Sequence, residues 1–103
     1  MTVIRNTQDI SSIKANHRIS LYCPIGKDYY TADISIEFKP DKIIPDYCKL
    51  TAYLNNLSGL SLIIEDLVNK VHSHLMSKYA PDAVKVSVKA YSNTHLDVEV
   101  VKE

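Results

Sequence analysis

The order in which the hydrophobic periodicity changes along the chain constrains the fold more than any other feature. A period of two is typical of a half-buried strand, and a period of three to four is typical of an amphipathic helix. The period is two over 18–22 and 31–38, three to four over 46–57 and 61–79, and two again over 83–91 and 96–100. The sequence therefore predicts the order strand, strand, helix, helix, strand, strand.

Four antiparallel strands with both helices on one face form an α+β layer. We predict a single α+β domain over 17–103, preceded by a polar N-terminal arm over 1–16. A small open sheet leaves two exposed edges, which need to be covered. Strand addition between subunits would close several such sheets into a barrel, so we expect a ring-forming oligomer.

The composition argues against several classes of protein. A chain of 103 residues with 46% hydrophobic residues supports one core. Its 12 basic and 12 acidic side chains give a formal net charge of zero, which argues against a large electrostatic grip on nucleic acid. No apolar run approaches the ~20 residues that cross a membrane, and residues 1–17 lack a signal-peptide core. We expect a cytoplasmic protein with reduced cysteines.

The histidines and cysteines do not have the spacing of a metal site. Cys23 and Cys48 do not form a CxxC pair, and neither has a histidine at metal-ligand spacing. His72 and His74 are two positions apart, so on a helix they point to different sides. We expect no metal, and a disulfide between the two cysteines stays open.

The tripeptide Cys23-Pro24-Ile25 follows the first predicted strand and precedes a charged loop, Gly26-Lys27-Asp28. A cysteine at a strand end, with a proline behind it and a carboxylate close downstream, is a candidate nucleophile with a proton donor. Lys27 or a backbone N–H is the candidate stabiliser of its thiolate. The alternative is an ordinary buried cysteine.

Two separated motifs resemble one enzyme family. Leu21-Tyr22-Cys23-Pro24-Ile25 is similar to the S-L-C-P-I-T of the QueF family, the 7-cyano-7-deazaguanine reductases, and Glu65-Asp66-Leu67-Val68-Asn69 is similar to its H-E-D-C-V-N. The stretch Pro40-Asp41-Lys42 also matches the family pattern. The resemblance covers about residues 17–101 and implies the tunnelling fold (T-fold), in its short single-domain form.

The resemblance implies a role for each matching residue. Cys23 matches the nucleophile that adds to the nitrile carbon and forms a covalent thioimide. Glu65 matches the glutamate that anchors the deazapurine, and a carboxylate offers two acceptors to two N–H donors. The family's general acid falls at Tyr30, but we favour Asp28, because a carboxylic acid transfers protons more readily than a phenol near neutrality. Tyr30 and Ile64, which replaces the family's histidine, are the remaining expected substrate-contacting positions.

The main departure from the reductases concerns their cofactor. The phosphate-binding motif that enters their first helix corresponds here to Asp46-Tyr47-Cys48-Lys49-Leu50-Thr51, where most polar and basic positions are gone. This pattern is similar to the archaeal QueF-like amidinotransferases, which add ammonia to the nitrile in tRNA and give archaeosine. We therefore expect no cofactor. The alternatives are an NADPH-dependent reductase of queuosine biosynthesis and a non-catalytic purine- or pterin-binding protein.

The same resemblance implies partners. The substrate is a 7-deazapurine, free or within tRNA, and the assembly is a homo-oligomer, a pentamer or decamer, with sites between subunits. The neutral net charge fits poorly with tRNA. A ring gathering Lys14, Arg18, Lys27 and Lys42 on one rim would supply the missing positive surface.

Overall fold

The computed structural model describes residues 4–92 and 96–103. In chain order its elements are β1 (Ile4–Arg5), β2 (Ile13–Cys23), β3 (Asp28–Lys39), β4 (Ile43–Ile44), α1 (Tyr47–Leu57), α2 (Ile64–Tyr79), β5 (Ala83–Tyr91) and β6 (Val98–Lys102). The four long strands form an antiparallel sheet in the order β2-β3-β5-β6, while β1 and β4 form a short separate ribbon. The predicted order of strands and helices is confirmed, and so is the α+β class.

One face of the sheet carries the core, because strand residues alternate between the two faces. Both helices pack on that face: α1 contacts β2, and α2 contacts β5 and β6. The fully covered side chains come from β2, β3, α2 and β5, and the largest are Phe38, Leu21, Ile34, Leu67, Leu75, Val68, Val71, Val86 and Val88. The opposite face is polar and is not covered by any element of the described chain.

The helix ends follow from local sequence. Asp46 caps α1, since its side chain accepts from the backbone N–H of Cys48 at 2.9 Å and of Lys49 at 3.3 Å. Helix α2 begins at Ile64, later than the predicted start at residue 61, because residues 59–62 hydrogen-bond to β2 instead. It ends at Tyr79, where Ala80 takes a left-handed conformation and Pro81 prevents continuation.

Strands β2 and β3, which correspond to the first two predicted strands, are longer than predicted. Strand β2 begins at Ile13, so the last four residues of the predicted arm at 1–16 lie in the sheet. The alternation there is real but weak, since Ile13, Ala15 and His17 are half-buried and only one of them is a strong strand former. Strand β2 pairs with β3 along the whole length of β2, from Ile13 opposite Phe38 to Cys23 opposite Asp28.

The last hairpin lies partly outside the described residues, because the predicted turn at 92–94 includes Asn93 and Thr94. Strand β6 begins at Val98 and not at Leu96. Among the described residues, no helix is long and apolar enough to cross a membrane.

Candidate active site

A tight turn presents the Cys23 thiol at the end of β2. The backbone N–H of Lys27 donates to the carbonyl of Cys23 at 2.8 Å and closes the turn, with Lys27 in a left-handed conformation (φ 55°). The backbone N–H of Gly26 points at the Cys23 sulfur, 3.4 Å from Sγ. The sulfur thus accepts a hydrogen bond from the backbone of its own turn. Of the two stabilisers considered above, the structure therefore provides the backbone N–H.

Asp28 stands directly across the ladder from Cys23. Side chains of directly opposed residues lie on the same face of a sheet, with Cβ atoms about 4.5–5.5 Å apart. One carboxylate oxygen of Asp28 accepts the backbone N–H of Tyr29 at 2.8 Å, which fixes that side chain close to the turn. The ladder thus brings the candidate nucleophile and the candidate acid together, although four residues separate them in sequence.

Tyr30 lies on the same face of β3 but has a different environment. Its side chain is buried, with 5% of its surface exposed, and its hydroxyl donates to the Leu62 carbonyl at 2.6 Å. Burial raises the pKa of Tyr30 to about 12, and the nearby negative charges of Cys23, Glu65 and Asp66 act in the same direction. A phenol so placed holds its proton at neutral pH and is a poor acid catalyst.

Backbone hydrogen bonds join the start of α2 to the strand that carries Cys23. The loop before α2 runs beside β2 in parallel, with Tyr22 bridged to Ser61. The N–H of Gly59 donates to the Ser20 carbonyl at 2.7 Å, and Tyr22 donates to Leu60 and accepts from Leu62, both at 3.0 Å. The two motifs that resemble the QueF family, about forty residues apart, are therefore neighbours within one chain.

Glu65 and Asp66 occupy the first turn of α2 and are exposed. Carboxylates are favourable there because they oppose the positive end of the helix dipole, and no side chain caps this helix. Ile64 is half-buried and packs against the core, as Leu62 and Cys23 also do. The structure thus places Glu65 at the surface beside the Cys23 end of the sheet, whereas Ile64 faces inward.

An open cleft of about 480 Å³ adjoins the turn. Its lining consists of hydroxyl and carboxylate side chains: Ser20, Asp28, Tyr29, Tyr30, Thr31, Tyr91, Ser92 and Asp97. Cys23 and Glu65 are not part of this lining, so within a single chain the predicted site residues do not share one enclosed pocket. Within 4–92 and 96–103, no group of three His, Cys, Asp or Glu side chains is arranged to hold a metal ion.

Sequence reasoning offered a backbone N–H as one possible partner of Cys23 without identifying the residue that supplies it, and it did not identify the backbone partner of Tyr30. The Gly26 N–H and the Leu62 carbonyl contact Cys23 and Tyr30 respectively. Every residue type supplies a backbone carbonyl and every type except proline supplies a backbone N–H, so no residue pattern identifies these groups. The glycine gives the only indication, since a Cβ at Gly26 would lie 3.7 Å from the Cys23 sulfur.

The fold and the position of Cys23 define the class of protein: a small T-fold protein with a cysteine at the end of its first long strand. No protein-family model matches the chain, and no curated protein matches it. Among solved structures, the chain is similar to the crystal structure of the archaeosine synthase QueF-Like in the apo form, with a TM-score of 0.83 and 25% sequence identity. The match covers 90% of this chain and 92% of that one.

This likeness confirms the QueF-family resemblance that the sequence motifs indicate, and with it the T-fold. The chain therefore resembles an enzyme over most of its length.

Proposed function

We propose that this protein adds ammonia to the nitrile of 7-cyano-7-deazaguanine through a covalent thioimide on Cys23. The observation that carries the proposal is the pairing of Cys23 with Asp28 across the ladder, with the Gly26 N–H on the sulfur. The likeness to an archaeosine synthase supplies the reaction class.

In the proposed first step, the Cys23 thiolate attacks the nitrile carbon and forms a carbon–sulfur bond. The nitrile nitrogen takes a proton from Asp28, and the pairing of Asp28 with Cys23 across the ladder supports this role. Glu65 accepts hydrogen bonds from the N–H groups of the deazapurine and orients the ring. Ammonia then adds to the thioimide carbon, the added nitrogen returns a proton to Asp28, and the thiolate leaves, so the product is an amidine and both Cys23 and Asp28 are regenerated.

The cap of α1 favours ammonia over NADPH as the second reactant. The free amides at the start of α1 are the natural place to bind a phosphate, but the carboxylate of Asp46 already accepts from two of them. A negative charge at that point repels a cofactor that carries several phosphates. The NADPH-dependent reductase is therefore the weaker alternative, and we propose that no cofactor is needed.

We also propose that the protein works as a homo-oligomer. Strands β2 and β6 form the two edges of the sheet, and β6 exposes Val98 and Val101. Joining such edges between chains would hide them and produce the barrel that the T-fold resemblance implies.

Intact-mass spectrometry with 7-cyano-7-deazaguanine tests the proposal. We expect a mass gain of one ligand in the wild type and none in Cys23→Ala, with Cys48→Ala as the matched control that keeps the adduct. Cys48 is the right control because it is exposed on α1. Ammonium should discharge the adduct and NADPH should not. An oligomeric protein that binds the base without an adduct would contradict the enzyme and support the non-catalytic binding protein.

A further inference from the structure

The uncovered face of the sheet carries two rows of charged side chains, and each row takes one charge from every long strand. The first row consists of Arg18, Asp33, Lys89 and Glu99, which the ladders place opposite one another in that order. Within it, Arg18 donates two hydrogen bonds to Asp33, at 2.5 and 3.0 Å. The sign of the charge therefore alternates from β2 through β3 and β5 to β6.

The second row lies four residues away along each strand and repeats the same order of signs. It consists of Lys14, Glu37, Lys85 and Glu103. The Lys14 ammonium is 3.8 Å from the Glu37 carboxylate, and the Lys85 ammonium is 3.9 Å from the Glu103 carboxylate. Four strand residues span roughly 13 Å, more than the Debye length of about 10 Å at 0.1 M salt, so each row acts separately.

Each row starts with a base at the β2 edge and ends with an acid at the β6 edge, because β2 and β6 are the outer strands of the sheet. Two β2 edges brought together would set bases against bases, and two β6 edges would set acids against acids. Like charges directly opposite each other are destabilising. Only a head-to-tail contact, in which β6 of one chain meets β2 of the next, continues the alternation, and contacts of this kind close into rings.

The backbone restricts how the two edges can meet. Ser20 and Tyr22 bond to residues 59–62, so the even-numbered residues of β2 direct their backbone groups away from β3. Because this alternation continues through every antiparallel ladder of the sheet, the odd-numbered residues of β6 direct theirs away from β5. Rotation about a ring axis along the strands keeps β6 antiparallel to β2 of the next chain. Hydrogen bonding across this contact then requires odd-numbered β6 residues opposite even-numbered β2 residues.

We propose that β6 joins β2 of a second copy of this chain in the register that sets Glu99 opposite Arg18 and Glu103 opposite Lys14. Both pairs belong to one antiparallel register, and both satisfy the odd-to-even requirement of the backbone. The inference rests on the homo-oligomer of the proposed function and adds the register of its contact and the charges that select it.

The alternative registers lose these pairs. A slip of two residues in either direction sets both acids opposite a neutral serine or asparagine. A slip of four residues one way sets Glu99 opposite Tyr22, whose outward backbone groups are already bonded to 59–62. A slip of four the other way leaves Arg18 without an acid. In the proposed register, Val101, which is 45% exposed in the single chain, lies opposite Asn16.

The rows also correct the expectation of a positive rim. Arg18 and Lys14 already have carboxylate neighbours within the chain. Lys27 adjoins Cys23 at one end of β2, whereas Lys14 and Lys42 lie towards the other end of the β2–β3 pair. A rotation that builds a ring keeps these two ends apart, so the expectation of one shared rim was wrong.

Disulfide cross-linking tests the register. Asn16→Cys and Val101→Cys are combined in a chain that also carries Cys23→Ala and Cys48→Ala, and the oxidised protein is separated by size under denaturing, non-reducing conditions. Within one chain β2 and β6 are three strand spacings apart, about 14 Å, so a disulfide between them has to join two chains. We expect covalent dimers and higher species, because opposed Cα atoms about 5.5 Å apart suit a disulfide.

Two diagonal pairs are the matched controls. Lys14→Cys with Val101→Cys, and Arg18→Cys with Val101→Cys, would be roughly 7–8 Å apart in the proposed register, beyond the reach of a disulfide. Size exclusion first verifies that each variant assembles as the wild type does. Preferential cross-linking of a control pair, or of no pair, would overturn the proposed register, and so would a wild type that stays monomeric.

A charge-reversal cycle tests the pairing without cysteines. At low ionic strength, Lys14→Glu or Glu103→Lys alone sets like charges against each other between chains, and each should weaken assembly by roughly twofold to fivefold per contact. The double variant restores an opposite pair and should recover most of that loss. The two residues occupy opposite edges of one chain, so the recovery measures a contact between chains.

The control for this cycle is Lys70→Glu with Glu103→Lys. It makes the same change in charge, but Lys70 is exposed on α2, on the helix side of the sheet, and should give no recovery. Equal assembly of the two double variants would exclude the proposed pairing.

These results are independent of the chemistry, because the cross-links are read in chains without Cys23. Cross-links in the expected register would support the inference even if the wild type formed no thioimide, a result that would refute only the proposed reaction. A thioimide in a protein that cross-links in another register would overturn the inference and leave the reaction intact.

Discussion

The two halves of strand β2 differ in how their edges are satisfied. From Ser20 to Tyr22, the strand is hydrogen-bonded on both sides, to β3 on one and to residues 59–62 on the other. From Ile13 to Arg18 its only strand partner among the described residues is β3. A groove of about 410 Å³ lies between this part and α1, and a hydrogen bond of 2.7 Å joins His17 Nε2 to Asn55 Oδ1 across it. One half is closed within the chain and the other half is open.

The two halves therefore suit different roles. The closed half leads into Cys23, and a candidate nucleophile needs a fixed position relative to Asp28 and the start of α2. The open half keeps unpaired backbone groups, which another chain could pair with. Because Ser20 and Tyr22 direct their backbone groups away from β3, the alternation of an antiparallel ladder places the outward groups of the open half at Asn16 and Arg18.

The largest effect is expected in the closed half, from Asp28→Asn. An amide cannot protonate the nitrile nitrogen, and loss of a general acid costs roughly 10²- to 10⁴-fold in rate. Thioimide formation with the cyano base, followed by mass spectrometry over time, measures the loss. A variant that forms the adduct at the wild-type rate would show that Asp28 is not the acid and would return that role to Tyr30.

In the open half, Asn16→Pro should dissociate the proposed oligomer. Proline removes an outward N–H at the edge without removing a hydrogen bond to β3. Light scattering coupled to size exclusion measures the change in mass. Asn16→Ala is the control: both variants lose the side-chain contact in which the Ser35 hydroxyl donates to Asn16 at 2.8 Å, but only the proline loses the backbone donor. Equal masses for the two variants would place the subunit contact elsewhere.

A smaller effect is expected where the closed half is tied to α2. Tyr30→Phe deletes the hydroxyl that donates to Leu62, and a buried acceptor left unpaired costs about 1–3 kcal/mol. Urea denaturation should therefore show reduced stability. The pH profile of adduct formation should keep its wild-type shape, since the pKa of Tyr30, about 12, already lies far above the working range. A changed profile would make Tyr30 a participant in proton transfer.

The smallest effect concerns the contact between the two helices, of which α1 lies beside the open half of β2. His74 on α2 stacks on Tyr53 of α1, with ring centroids 3.6 Å apart, and its buried Nε2 has no hydrogen-bond partner within residues 4–92 and 96–103. Burial lowers the pKa of His74, and Lys78 lowers it further. The folded state therefore prefers the neutral ring, so this contribution to stability is present above the ordinary pKa of 6.5 and is lost as the pH falls below it.

We expect Tm to fall between pH 7.5 and 5.5, and to fall less in His74→Phe, which keeps an aromatic ring against Tyr53. His72 provides the comparison, because burial and Lys102 also lower its pKa while it does not stack on Tyr53. Thermal unfolding across pH, with both Phe variants, measures the two contributions. An unchanged pH dependence in His74→Phe would exclude this histidine as its source.

The sequence was sufficient for the order of elements because each period is supported by strong residues. Strand β5 alternates Val84, Val86 and Val88 with polar residues, and α2 carries an unbroken apolar stripe. The start of β2 was not predicted because Ala15 and His17, which occupy half-buried positions of its alternation, are weak strand formers. In the same way, residues 59–62 contain no strand-like pattern, and their pairing with β2 depends on backbone groups alone.

The candidate site was predictable to a similar degree. Cys23, Asp28 and Glu65 were selected from residue types and motif resemblance, and the ladder then placed Asp28 opposite Cys23. The burial of Tyr30 and its bond to Leu62 could not be foreseen, because they depend on where the loop before α2 crosses the strand end. Side-chain chemistry is visible in a sequence, whereas the register that brings two such groups together is a property of the folded backbone.

The bridge between Tyr22 and Ser61 also has a consequence for folding. It closes a loop of roughly forty residues, and contacts so distant in sequence form only after much of the entropy of the chain has been lost. We therefore expect the start of α2 to reach the end of β2 late in folding, after β3 and α1 have formed between them. A partly folded chain would then carry Cys23 without the surroundings that the candidate site gives it.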